Sequence, residues 1–227
     1  MIWLGYSPAV VSGLCASTSG GSGKSTGSGE HVTLQTMAND VAGVIQALRL
    51  GPVHVAGNDF GNRVARVLAG SHPELTRSVI LLGAGGKIPP KPPAAHALQV
   101  IFNPTSSDAE VLKAMKYMVA NPADAARAWR ILKPCRAPEA AAIELAAAEA
   151  TPLSVWWAPP GSTRYLILQG ADDQAAPPEN GALLKQELGT RATLIDIPKA
   201  GHLIPLEQTN TTASHMITFI RELGGKQ

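Results

Sequence analysis

Cysteine is scarce in this chain, with only Cys15 and Cys135 among 227 residues. Neither sits in a metal-ligand or redox spacing, and two thiols make no disulfide framework, so a reducing compartment fits best. A dominant charge is lacking too: 19 basic residues face 17 acidic ones, a net +2, which gives no pull toward nucleic acid or an anionic membrane. No apolar run approaches the ~20 residues that cross a bilayer. The mildly apolar opening MIWLGYSPAVVSGLCAS has no basic n-region, and Leu14 before Cys15 spoils a lipoprotein-type pattern. The expectation is a cytoplasmic protein with no nucleic-acid or membrane partner.

What is present is a 45% hydrophobic chain, long enough for one α/β domain or a core with an inserted lid. A short strand is expected around Ala9–Leu14. Ser17 to Gly29 (STSGGSGKSTGSG) has flexible-loop composition. Its GSGKST is close to the end of a phosphate-binding loop, but the first glycine of that pattern would fall on Thr18, and no helix-forming sequence follows Lys24 and Ser25. Nucleotide binding through Lys24 is therefore a minor alternative.

From Leu34 the apolar residues Leu34, Met37, Val41, Val44, Ile45 and Leu48 recur at helical spacing, with Thr33 as N-cap and Gly51 as the stop. Val53–Ala56 and Ser78–Leu82 read as strands buried on both faces of a parallel sheet. After the breaker IPPKPP at Ile88–Pro93, Ala94–Ala158 shows helical pattern and no strand signal. Strand and helix then alternate again: Tyr165–Gln169, a helix over Glu179–Leu188, the strand Ala192–Ile197, and a last helix near Thr211–Leu223. That rhythm predicts an α/β fold, a mostly parallel sheet with helices on both faces and a helical cap insertion. The predicted segments are 1–87, the first part of the core; 88–160, the cap; and 161–227, the second part.

Three polar residues follow the C-terminal ends of predicted strands, where α/β sheets build their sites. Asp59 stands at the apex of a strand–turn–helix, Gly57-Asn58-Asp59-Phe60-Gly61, with the spacing of a nucleophile elbow G-x-S-x-G. A capping aspartate before a helix has the same look. Asp173 follows Tyr165–Gln169, and His202 follows Ala192–Ile197. Nucleophile, acid, histidine is the order of a hydrolase triad.

GPVHVAGNDFGNRVAR, SVILLGAGG, LILQGADDQAAP and IPKAGHLIPLEQ together resemble the α/β-hydrolase superfamily, in the aspartate-nucleophile branch that includes haloalkane dehalogenases and epoxide hydrolases. The resemblance covers about Thr33 to Leu223 and implies a hydrolase needing no cofactor or metal and acting on a small organic molecule. It favours Asp173 over Asp172 as the acid and makes Ala94–Ala158 the cap. A carboxylate, with a reference pKa near 4, is already anionic at neutral pH and can attack the saturated carbon of an epoxide or a carbon–halogen bond. The alkyl ester formed on Asp59 would be hydrolysed by water activated by His202, with Asp173 orienting the imidazole. The Phe60 N–H, at a helix start, is the expected oxyanion donor.

The sequence also departs from the family. Phe60 stands where a halide-binding tryptophan is common, leaving Trp156 or Trp157 for that task, although two adjacent large apolar residues are more often core packing. The cap carries only Tyr117 to protonate an epoxide oxygen, a role the family gives to a tyrosine pair, and Tyr117 tilts the expectation toward an epoxide. No His-Gly dipeptide supplies a second oxyanion donor, and few strands precede Leu34. A missing neighbour of Val53–Ala56 would leave a bare apolar sheet edge, through which the chain would self-associate. The alternative is thus a catalytically impaired scaffold that needs a partner.

Overall fold

The computed structural model describes residues 1–4, 15–17, 31–135 and 138–224. In chain order the strands among them are β1 (Ile2–Leu4), β2 (Cys15–Ser17), β3 (Val53–Asn58), β4 (Thr76–Leu82), β5 (Arg164–Gly170) and β6 (Ala192–Ile197). The helices are α1 (Leu34–Ala47), α2 (Gly61–Ser71), α3 (Pro92–Phe102), α4 (Asp108–Ala114), α5 (Ala125–Leu132), α6 (Pro138–Glu149), α7 (Leu153–Trp156), α8 (Glu179–Leu188), α9 (Ile204–Glu207) and α10 (Thr209–Gly224). They divide into two compact units, Met1–Leu81 with Cys135–Tyr165, and Leu82–Pro134 with Leu166–Gln227. The helical span expected as one cap is split between them, its first part in the second unit and α6 and α7 in the first.

In the first unit the strand order is β2-β1-β3-β4. β1 lies parallel to β3 with Ile2 opposite Val55, Trp3 opposite Ala56 and Leu4 opposite Gly57, and β2 continues the sheet in parallel beyond β1. The bare edge expected beside Val53–Ala56 is therefore corrected: β3 has backbone partners there. A three-residue strand such as Ile2–Leu4 is too short to show a period, which is why the pattern missed it. The strand expected at Ala9–Leu14 and the Lys24 loop lie outside the described residues.

α1 forms where the pattern places it. Thr33 and Thr36 close a reciprocal capping box, and Leu34, Met37, Val41 and Ile45 are buried. The helix stops before Gly51, because Arg49 adopts a left-handed backbone at φ 53°. Leu48, expected on the buried stripe, is consequently exposed. β3 is buried along nearly its whole length, as a central parallel strand requires. His54 on β3 bonds Ser78 on β4 across 2.7 Å.

In the second unit β5 neighbours β6, and Leu166, Ile167 and Leu168 are buried to 2% exposure or less. α3, α4 and α5 enclose an apolar cluster that includes Ala97, Val111, Met115, Met118 and Trp129. The methionines of this span thus serve as packing, as large flexible apolar side chains usually do.

Candidate active site

The elbow lies in the first unit. β3 ends at Asn58, Asp59 takes φ 50°, and α2 begins at Gly61. A left-handed backbone costs a non-glycine residue roughly 1–2 kcal/mol and persists only where its surroundings impose it. Gly57 shows what imposes it. A Cβ there would stand 2.4 Å from the Gly61 carbonyl oxygen and 2.8 Å from the Asn62 nitrogen, so strand and helix approach too closely for any side chain. Asn62 and Arg63 donate back to the carbonyls of Asp59 (3.1 Å) and Phe60 (2.9 Å), closing the turn over the apex. An aspartate serving only as a helix cap would sit in extended backbone before the first turn; this one is the strained apex itself.

Behind the elbow, α2 carries two cations against α7. The Arg63 guanidinium lies 5.9 Å from the Phe60 ring centre and 5.1 Å from that of Trp156. Arg66 is fully buried, at 4.7 Å from Trp156 and 5.3 Å from Trp157, and donates to the carbonyls of Asn62 (3.1 Å) and Trp157 (3.4 Å). Burial, reinforced by the Arg63 charge, brings Arg66 down to about 9. Trp156 and Trp157 are buried, packed edge to face at 6.4 Å, and their π faces hold these cations.

A further carboxyl belongs to the same unit. Glu144 on α6 is half-buried and is pushed up to about 8, first by desolvation and then by the negative charge of Asp59, against the opposing pull of Arg63. Arg63 itself is lowered by burial and supported by Asp59 and Glu144. Sequence reasoning missed Glu144, Arg63 and Arg66: a glutamate in an Ala-rich helix and an i, i+3 arginine pair carry no motif.

The acid–histidine pair lies in the second unit. Asp173 is completely buried. Its Oδ1 accepts from the backbone N–H groups of Ala175 (2.9 Å) and Ala176 (2.8 Å), and its Oδ2 lies 2.9 Å from His202 Nδ1. A carboxylate fixed this way makes Nδ1 the protonated nitrogen and leaves Nε2 the basic one. Asp172 is exposed, so the choice between the two aspartates falls as expected. Three features hold the histidine. The His202 N–H donates to Met118 O at 2.9 Å. Glu207, five residues on, accepts from Gly201 N (2.9 Å) and Ala120 N (2.6 Å). Gly83, at φ 63°, lies so close under the pair that a Cβ would meet His202 Nδ1 at 3.1 Å and Asp173 Oδ2 at 3.4 Å. Neither Glu207 nor Gly83 was legible as a site residue. Tyr117, in this unit, is 43% exposed at the end of a 3-10 turn, a poor setting for a phenol meant to protonate an oxygen in a water-excluded pocket.

Among the described residues no group of three or more His, Cys, Asp or Glu side chains is arranged to hold a metal ion, and no helix is long and apolar enough to cross a membrane. The chain belongs to the alpha/beta hydrolase fold family, whose model matches residues 19–209. Among solved structures it is similar to an esterase from Exiguobacterium antarcticum, at 20% identity and a TM-score of 0.73 over 89% of this chain and 79% of that one. It is similar also to a thermophilic esterase from Thermogutta terrifontis, at 22% identity and a TM-score of 0.65 over 90% and 78% of the two chains. A meta-cleavage product hydrolase from Pseudomonas fluorescens IP01 matches at 20% identity and a TM-score of 0.68, over 85% and 73%. At these identities the likeness is one of fold. No curated protein sequence matches the chain.

Proposed function

We propose that the chain is an aspartate-nucleophile hydrolase of small organic substrates, opening an epoxide or displacing a halide, with Asp59, Asp173 and His202 as its catalytic residues. The observation that carries this reading is the strained backbone of Asp59, φ 50° at the strand–helix apex. The Asp59 carboxylate attacks a saturated carbon, the carbon–oxygen or carbon–halogen bond breaks, and an alkyl ester remains on Asp59. His202 Nε2 then takes a proton from a water that attacks the ester carbonyl, and Asp173 stabilises the imidazolium formed. The N–H of Phe60 stabilises the oxyanion.

Esters of the kind named for the esterases are poor substrates under this reading, because carboxylate attack on an acyl carbon yields an anhydride rather than a stable intermediate. The buried tryptophans, whose faces hold arginines, support a packing role, and the exposure of Tyr117 counts against that phenol as the acid.

The test is the intact mass of the His202→Gln variant incubated with a panel of epoxides and haloalkanes. Loss of the base traps the ester, so an adduct mapped to Asp59 and absent in Asp59→Ala is expected, and its mass identifies the reacting class. If no member of the panel leaves an adduct, the aspartate is not a nucleophile and the reading falls.

A further inference from the structure

We propose that Gln169 is a positioning residue for the hydrolytic step: its side-chain amide holds the turn that fixes Asp173 and, through Asp173, the imidazole of His202. That this step is hydrolysis of an alkyl ester rests on the aspartate-nucleophile reading. The need for such a residue arises where β4 gives way to a loop. The strand ends at Leu82, Gly83 N still donates to Leu168 O at 3.0 Å, and Ala84, the next residue, is completely buried. A buried N–H without an acceptor is strongly destabilising, and this one finds its acceptor in a side chain, donating to Gln169 Oε1 at 3.1 Å. The other end of the same amide, Nε2, donates to Ala176 O at 2.7 Å. Gln169 is itself completely buried. With an N–H facing one end and a carbonyl the other, only one orientation of the amide makes both bonds. α8 leaves it no room to move: a Cβ on Gly181 would stand 3.2 Å from Gln169 Oε1 and 3.4 Å from its Cγ.

What connects this amide to the chemistry is the residue it grips. Ala176 N donates to Asp173 Oδ1 at 2.8 Å, beside Ala175 N at 2.9 Å, so Gln169 holds the carbonyl of the very residue whose N–H holds the acid. Pro177 and Pro178 follow and have no N–H with which to tie the turn down. The bonds run from Ala84 through Gln169 and Ala176 to Asp173, and end on the 2.9 Å contact of Asp173 Oδ2 with His202 Nδ1. Ala84 also adjoins Gly83, the residue packed against that same contact. Gln169 thus joins the loop that packs against the pair to the loop that carries the acid. Attack by a carboxylate that is already anionic needs no help from the histidine, whereas the water that cleaves the ester does. Loss of the Gln169 amide therefore falls on the second step and spares the first.

The experiment follows the alkyl ester by quenched-flow mass spectrometry in the parent, Gln169→Leu and Gln169→Glu, with styrene oxide and 1-bromobutane as probes. Gln169→Leu keeps much of the volume and loses both bonds; it should slow ester hydrolysis by about tenfold, the scale of a sub-ångström misplacement, and leave ester formation within about threefold. Gln169→Glu separates positioning from packing. A protonated carboxyl offers a carbonyl oxygen to Ala84 and an O–H to Ala176, as the amide does, whereas a carboxylate only accepts and opposes the Ala176 carbonyl. Burial keeps such a carboxyl protonated well above its ordinary range. Hydrolysis in Gln169→Glu should therefore match the parent near neutral pH and fall as the pH rises, a limb absent from the parent and from Gln169→Leu. Equal slowing of both steps in Gln169→Leu, slowing of neither, or a Gln169→Glu profile parallel to the parent's overturns the proposal; if Gln169→Leu does not fold, the Gln169→Glu profile decides. The Nδ1 proton of His202, identified by NMR through its loss in His202→Gln, gives a readout that does not depend on the nucleophile. It should move upfield and exchange faster in Gln169→Leu, and an unmoved signal overturns the positioning role. Absence of any adduct on Asp59 in His202→Gln overturns the aspartate-nucleophile reading instead, and the NMR signal then judges Gln169 by itself.

Discussion

Replacing Gly83 by alanine isolates the second chemical step from the first. Gly83 bears no functional group, yet it adopts φ 63°, and a Cβ would stand 3.1 Å from His202 Nδ1, 3.2 Å from Cε1 and 3.4 Å from Asp173 Oδ2. An L-residue in that backbone costs roughly 1–2 kcal/mol. Contacts near 3.1 Å are tighter than normal packing, so the imidazole must give by a few tenths of an ångström; Asp173 is completely buried and bonded to two backbone amides, and cannot follow it. The global cost should be about 2 kcal/mol in a urea titration, at the low end for a strained backbone position with a steric contact. Catalytically the loss falls on the histidine alone. A misplacement of about 1 Å can cost about 100-fold, so a shift of a few tenths should slow ester hydrolysis by about tenfold while alkylation of Asp59 proceeds at its usual rate. Quenched-flow mass spectrometry should then show the ester accumulating in a protein that still carries His202. Gly85→Ala is the control, because a Cβ there meets only the Ala176 methyl at an ordinary 3.5 Å. If Gly83→Ala turns over without accumulated ester and keeps parental stability, the reasoning that the glycine sets the histidine is wrong.

Three further outcomes are expected. Gly57→Ala places a Cβ 2.4 Å from a backbone oxygen, a clash that a rigid turn cannot relieve, and should lower stability by at least about 3 kcal/mol in denaturant titration. Glu207→Gln keeps the shape but weakens charge-assisted bonds to Gly201 and Ala120; a loss of about 1–2 kcal/mol in stability, with slower ester hydrolysis and unchanged ester formation, would mark it as a positioning residue, and equal slowing of both steps would refute that. Glu144 should make stability pH-dependent in a defined sense. Its folded value is raised to about 8, so between the ordinary carboxylate range and pH 8 the folded state holds a proton that the unfolded chain releases, and stability falls as pH rises through that window. Allowing for its partial exposure, the decline is about 2–4 kcal/mol, and Glu144→Gln should remove it; parallel pH profiles for the two proteins would sink the assignment.

The sequence by itself determined the fold class and the identity of three candidate catalytic residues, for reasons that are local. Buried parallel strands must be continuously apolar, so Val53–Ala56 and Tyr165–Gln169 stand out; the helix behind Thr33 announces its cap; and glycines at Gly57 and Gly61 flank the one acidic residue that a tight strand–helix turn exposes. What local pattern cannot carry is a contact between residues far apart in the chain. Ile2–Leu4 has no period to read, and its ladders to Val55–Gly57 and Cys15–Ser17 make it a strand. Gly83 is one glycine among 22, and only the arrival of His202 and Asp173 above it gives it a role. Glu207 is one more helix-end glutamate until Ala120 and Gly201 turn their amides to it. Glu144, in an alanine-rich helix, is an ordinary surface acid by sequence; desolvation pushes its carboxyl up, and burial is a property of the packed chain alone.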